Sequence, residues 1–128
     1  MPKKITKKML NNFFTSISDD DIEEAKKGIE NGIDVNVRFS FGMSAKHEKT
    51  PLFYSLEFGN EELIKYILEK GADVNSINGE TKDTPLHEIS SGFLSICKIL
   101  VKKGADVNAK NTLDQTPLHL VFPRKSGH

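Results

Sequence analysis

The 128-residue chain has one cysteine, Cys97, and no tryptophan. A single thiol excludes an internal disulfide framework and a cysteine-based zinc site. Charge of one sign is also missing. Lysine plus arginine and aspartate plus glutamate both total 18, so no net field draws in nucleic acid or an anionic membrane. Arginine is scarce, with only Arg38 and Arg124. No apolar run is long enough to cross a bilayer. The N-terminus starts basic, but Asn11 and Asn12 interrupt it, which makes a poor secretory signal. A soluble cytoplasmic protein is expected, and an effector delivered into a host cell would share these features. Enzyme signatures are absent as well. There is no Gly-rich phosphate loop, no nucleophile elbow and no paired acid with a metal motif. The expectation is therefore no catalysis, no cofactor and no metal.

What the chain does have is repetition. Thr-Pro-Leu occurs at Thr50, Thr84 and Thr116, in steps of 34 and 32. Gly-x-Asp-Val-Asn occurs at Gly32, Gly71 and Gly104, in steps of 39 and 33. A period near this length signals stacked supersecondary units. The unit from Thr84 to Asn108 shows the chemistry. Thr84 is suited to cap a helix and Pro85 to occupy its first position. Leu86 and Ile89 share one face of a short first helix. Ser90-Ser91-Gly92 breaks it, since Gly92 takes a left-handed turn without steric cost. A second helix follows, with Leu94, Cys97, Leu100 and Val101 as its expected apolar stripe. Gly104 ends it, behind Lys102 and Lys103, whose charges suit a helix C-terminus.

Thr84-Pro85-Leu86-His87, the glycine between helices and Gly104-Ala105-Asp106-Val107-Asn108 resemble the ankyrin repeat. The resemblance runs from about Phe13 to Leu120. It implies an all-α solenoid of about three and a half helix-turn-helix repeats with hairpin-like loops projecting to one side. One domain, 1–128, is expected, with a degenerate repeat at 5–36, a second at 37–75, a third at 76–108 and a truncated fourth at 109–128.

The first repeat opens with an apolar face from Ile5 to Ile17. Asp19-Asp20-Asp21 then caps and charges a helix striped by Ile22, Ala25 and Ile29. Asp20 stands where the family usually has glycine. A polar, altered repeat suits the end of a stack, where one face meets water. In the second repeat Phe53 replaces the family's histidine. Gly59 separates the helices, and Leu63, Ile64, Ile67 and Leu68 stripe the second. Glu61, where leucine is usual, is expected to loosen its start. Thr116 to Phe122 begins the fourth repeat and Pro123 ends it. No second helix follows, so either a lone helix caps the stack or the chain is part of something longer.

The loop before Thr50 is the most individual stretch. Asn36 to Thr50 spans 14 positions, against 8 from Asn108 to Thr116. Phe39, Phe41 and Met43 alternate within it, as on one face of an extended strand. They either pack back on the protein or form exposed anchors for a partner. The expectation taken forward is that Phe39 and Phe41 contribute little to stability and much to binding.

Other residues favour plain readings. The resemblance makes His87 and His119 bonding partners of the capping threonine and nearby backbone, not metal ligands. Cys97 reads as a buried, inert thiol. The acidic run at Asp19 lacks the glycine and terminal glutamate of a calcium loop. Lys3, Lys4, Lys7 and Lys8 read as a solvated helix face.

The resemblance implies a protein-interaction module whose loops and concave helical face bind another protein. Its expected contacts in the first long loop are Arg38, Phe39, Phe41, Met43, His47 and Lys49. Tyr54, Glu57 and Phe58 follow on the next first helix. Ile77, Lys82 and Asp83 are expected from the second loop, and Glu88 and Ser91 from the helix after it. Lys110, Thr112, Leu113 and Gln115 complete the set from the third loop. A monomer with no nucleic-acid partner and no membrane span is expected. The rival reading is a targeting or regulatory fragment of a larger enzyme or secreted effector.

Overall fold

A computed structural model describes residues 4–40, 48–89 and 94–117. Among these, six α-helices form: α1 (Lys7–Ser18), α2 (Ile22–Glu30), α3 (Pro51–Phe58), α4 (Glu61–Glu69), α5 (Pro85–Glu88) and α6 (Leu94–Lys102). Side chains supply the partners that first-turn N–H groups lack. Thr6 accepts from the Met9 N–H at 3.1 Å, and Asp21 from the Glu24 N–H at 3.2 Å. Thr50 accepts from the Phe53 N–H at 3.3 Å, with Pro51 in the first turn. Asn60 accepts from the Leu63 N–H at 2.9 Å. Glu61 therefore does not loosen α4. It sits with Glu62 in a capped first turn, where anions suit the helix dipole.

Left-handed residues separate the helices of each pair in the first two repeats. Gly59 takes φ 72° between α3 and α4, and Asp20 takes φ 63° between α1 and α2. Aspartate tolerates this conformation better than most residues. The Asp20 carboxylate also accepts from the Asn60 side-chain amide, which joins the two junctions.

The chain divides into two compact units, Met1–Asp73 and Val74–His128. In the first, α1 packs on α2 and α3, α3 on α4, and α2 on α4. Phe13, Phe14, Ile17, Ala25, Leu52, Leu63, Ile64 and Ile67 are buried there. Gly28 of α2 lies against the Phe13 ring: a Cβ added to it would stand 2.7 Å from Phe13 Cδ1.

Phe39 corrects an expectation. Its N–H donates to the Lys49 carbonyl at 3.1 Å, and the Lys49 N–H returns a bond at 2.9 Å, forming an isolated antiparallel bridge. The ring is 8 % exposed and stacks on Phe14, with centroids 4.9 Å apart. Phe39 is thus core, not a partner anchor, because burying such a ring is worth about 1.5–3 kcal/mol. Phe41, Met43 and His47 lie outside the described residues, as do Ser91, Gly92 and His119.

In the second unit α5 packs on α6. Leu86, His87, Ile89, Ile96 and Leu100 are buried. The expected α6 stripe is only partly right. Leu100 faces the core with Ile96, Cys97 is half-buried, and Leu94 and Val101 are exposed at 61 % and 46 %. Helical periodicity finds an apolar arc, but α6 also carries Ile96 and Ile99, so its arc is too wide to say which edge is covered.

The asparagine that ends each Gly-x-Asp-Val-Asn motif joins successive turns. Asn36 Nδ2 donates to the Gly71 carbonyl at 3.3 Å, and its Oδ1 accepts from the Asp73 N–H at 2.7 Å. Asn75 does the same in the second unit, with the Gly104 carbonyl at 3.1 Å and the Asp106 N–H at 2.8 Å. One amide thus bonds to both a carbonyl and an N–H of the following turn.

Candidate interaction surface

In the first unit the surface is built on α3. Leu52, Phe53, Ser55 and Leu56 bury one side of this helix. The other side carries Tyr54, Glu57 and Phe58. Aromatic rings lead from the core to this side. Phe13 meets Phe14 edge-on at 5.3 Å, Phe14 meets Tyr54 at 5.4 Å, and Tyr54 meets Phe58 at 5.1 Å. The series ends in solvent, where Phe58 is 50 % exposed. Beside it Lys49 and Glu57 form an ion pair. The Lys49 backbone is held by the bridge to Phe39. Ring packing fixes Tyr54, and Tyr54 in turn fixes Phe58. An exposed ring positioned in this way loses little conformational freedom on binding.

In the second unit the candidates sit on two loops that bond to each other. Asn78 Oδ1 accepts from the Glu80 N–H at 2.8 Å, and Asn111 Oδ1 from the Leu113 N–H at 2.9 Å, so each asparagine shapes its own loop. Between them, Thr112 N–H donates to the Thr81 carbonyl at 2.8 Å, and Asn111 Nδ2 to Asp83 Oδ1 at 2.8 Å. Lys82 and Asp114 adopt φ 60° and 61°. This construction leaves Ile77 and Leu113 exposed at 41 % and 75 %.

Each expected contact now has a place. Arg38, Glu57, Phe58, Ile77, Lys82, Lys110, Thr112 and Leu113 are exposed, and Lys49, Tyr54 and Glu88 are half-buried. Asp83 and Gln115 serve the loops instead. Asp83 holds Asn111, while the Gln115 side chain accepts from Asn111 Nδ2 at 3.0 Å and its carbonyl faces His87 Nε2 at 2.8 Å. His87 Nδ1 accepts from the Thr84 N–H at 3.0 Å. A carbonyl only accepts, so Nε2 carries the ring proton, and the buried His87 ties α5 to the third loop. The sequence reading missed Leu94 and Val101 as exposed groups.

The outer side of α4 differs in character. Lys26 and Lys70 lie over the Tyr66 ring at 5.2 and 5.5 Å, and the Tyr66 hydroxyl is 3.5 Å from Glu30. Desolvation, then the Glu30 charge and hydrogen bond, raise the Tyr66 pKa above the usual phenol value. Among the described residues, no three His, Cys, Asp or Glu side chains converge in a group that could hold a metal ion. No described helix is long and apolar enough to cross a membrane.

The family model described as ankyrin repeats, in three copies, matches residues 14–111. No curated protein matches the chain.

Proposed function

The chain belongs to the ankyrin-repeat family, and on that premise we propose that it is a non-catalytic module that binds a partner protein through its first helices and loop tips. Ankyrin repeats generally serve as protein–protein interaction modules and are typically non-catalytic. The observation that carries the reading is Phe58. It is half exposed at the end of an otherwise buried or half-buried aromatic series, beside the Lys49–Glu57 pair. Aromatic side chains in a preorganised setting are the usual source of binding energy at protein interfaces. In the first unit Lys49 and Glu57 supply the polar edge that fixes orientation; the second unit separately offers Leu113 and Ile77 as apolar loop tips. The partner fitting this surface offers an apolar pocket for one ring, flanked by groups complementary to the ion pair.

Affinity capture from the native cell with mass spectrometry identifies the partner, and titration then tests the surface. Phe58→Glu is expected to weaken binding at least thirtyfold, the loss of about 2 kcal/mol that defines a hot spot. Unchanged affinity would remove the α3 surface from the interface.

A further inference from the structure

We propose that Asn78 is a site of covalent self-modification: the Gly79 backbone nitrogen displaces its side-chain amide, and water reopens the resulting ring to leave aspartate or isoaspartate. The inference concerns the loop that carries Ile77 and does not depend on what binds there.

Asparagine followed by glycine occurs twice in the chain, at Asn31-Gly32 and Asn78-Gly79. In both pairs the glycine has no Cβ to hinder its nitrogen from reaching the preceding side chain. Local sequence therefore does not separate the two, and the fold does. Asn31 caps the C-terminus of α2, where the Gly32 N–H donates to the Ile29 carbonyl at 3.1 Å. The nitrogen that would attack is engaged. Among the described residues, nothing donates to the Asn31 side-chain oxygen, so its carbon is not activated.

At Asn78 both conditions reverse. Oδ1 accepts from the Glu80 N–H at 2.8 Å and the Thr81 N–H at 3.2 Å. These bonds fold the carboxamide back over the Gly79 peptide. They also place two donors on the oxygen where negative charge collects during attack, the arrangement that stabilises tetrahedral intermediates of acyl transfer. Gly79 is exposed, and among the described residues its N–H has no acceptor and Asn78 Nδ2 has no partner. The nucleophile is open to deprotonation and the leaving group is untied.

The steps consume water and release ammonia, with no change of oxidation state. Hydroxide takes the Gly79 N–H proton, the nitrogen bonds to Asn78 Cγ, and Oδ1 carries the charge. The Cγ–Nδ2 bond then breaks, and Nδ2 takes a proton from water and leaves as ammonia. Water opens the five-membered imide in one of two ways. Attack at Cγ restores the ordinary chain with aspartate at position 78. Attack at the backbone carbonyl carbon routes the chain through Cβ and Cγ, as isoaspartate.

The two products differ in consequence. Aspartate keeps an oxygen for the Glu80 and Thr81 N–H groups. Isoaspartate lengthens the main chain between bonds that close the loop, from the Asn78 N–H to the Asp83 carbonyl and from the Lys82 N–H to the Asn78 carbonyl, both 2.9 Å. That loop holds the third one, through the Thr81 carbonyl to the Thr112 N–H and through Asp83 to Asn111. Isoaspartate at position 78 thus loosens the support of Leu113 as well as that of Ile77.

The full chain, folded and in denaturant, is held warm at neutral pH. Conversion at each asparagine is followed by peptide mass, and isoaspartate by enzymatic methylation. In the folded chain Asn78 is expected to convert at least tenfold faster than Asn31, and in denaturant the two rates should come within threefold. Gly79 does not take a positive φ, so Gly79→Ala keeps the loop, and it should slow conversion of Asn78 at least tenfold. The isoaspartate form, separated by ion exchange, should exchange the Thr112 amide hydrogen at least tenfold faster than the original chain. Fresh Asn78→Asp should leave that exchange unchanged. Equal rates at Asn31 and Asn78 in the folded chain would overturn the proposal, as would a difference that survives denaturant. Thr112 protection that is the same in the isoaspartate form would overturn its consequence for the loops.

Discussion

Two glycines in this chain are required for opposite reasons. Gly104 has φ 98°, and among the described residues no atom beyond its chain neighbours lies within 4 Å of where its Cβ would stand. Only the backbone conformation excludes other residues, so Gly104→Val should cost more than about 1 kcal/mol in urea denaturation, since a β-branched side chain resists positive φ. Gly28 lies within a helix, where alanine would ordinarily gain about 1 kcal/mol. Its Cβ would meet the buried Phe13 ring at 2.7 Å, and the Ile33 side chain at 3.2 Å. Gly28→Ala should therefore destabilise by about 1–3 kcal/mol, the usual range for overpacking. A gain in stability would show that Phe13 can move aside. Gly104 was legible in the sequence because a repeated motif marks a helix end. Gly28 was not, because a ring approaching from another helix leaves no trace in local pattern. The phenylalanines divide in the same way. Phe39→Ala should cost about 3 kcal/mol and Phe58→Ala under about 0.5 kcal/mol, as for core and surface positions. Equal costs in calorimetry or denaturant titration would erase the distinction between core and surface rings. Sequence pattern placed Phe39 on the wrong side of it, since alternation identifies a shared face but not whether Phe14 waits beneath.

At the scale of elements, the starts of the helices were the most legible feature. Thr6, Asp21, Thr50 and Asn60 cap through short-range bonds, which local sequence specifies. Glu61 shows the limit of comparing a residue with a family habit, because the Asn60 cap and the helix dipole make glutamate a good choice there. What joins the elements was less visible. The recurrence of Asn36 and Asn75 was plain, but only the fold shows one amide bridging a carbonyl and an N–H in the following turn. Asn75→Ala leaves the Gly104 carbonyl and the Asp106 N–H without that amide. Both groups sit near solvent, so the expected loss is about 1–2 kcal/mol, from the usual net value of two hydrogen bonds. Faster hydrogen exchange should appear at Asp106, whose N–H donates to Asn75, and leave α1 and α2 unaffected. Uniform acceleration throughout the chain would mean that the bridge is not local.

At the scale of the whole molecule, the fold class followed from the period of the repeats, while the partner surface did not. Of the expected contacts, Tyr54, Glu57, Phe58, Ile77 and Leu113 stand where a partner can reach them, Phe39 is core, and Asp83 and Gln115 are committed to the loops. The reason is physical: a repeat motif records which residues make the stack, and a binding surface is made of residues the stack leaves unused. Those unused residues differ by side. The α3 side offers an exposed ring, whereas the α4 side is occupied by the Tyr66, Lys26, Lys70 and Glu30 cluster. Hydrogen–deuterium exchange of the full chain, with and without the captured partner, distinguishes the sides. Protection is expected in peptides covering Tyr54–Phe58 and the loop segments 76–83 and 110–115, with little change across Glu61–Glu69. Protection concentrated on Glu61–Glu69, with 54–58 and both loops unchanged, would contradict recognition through the first helices and loop tips.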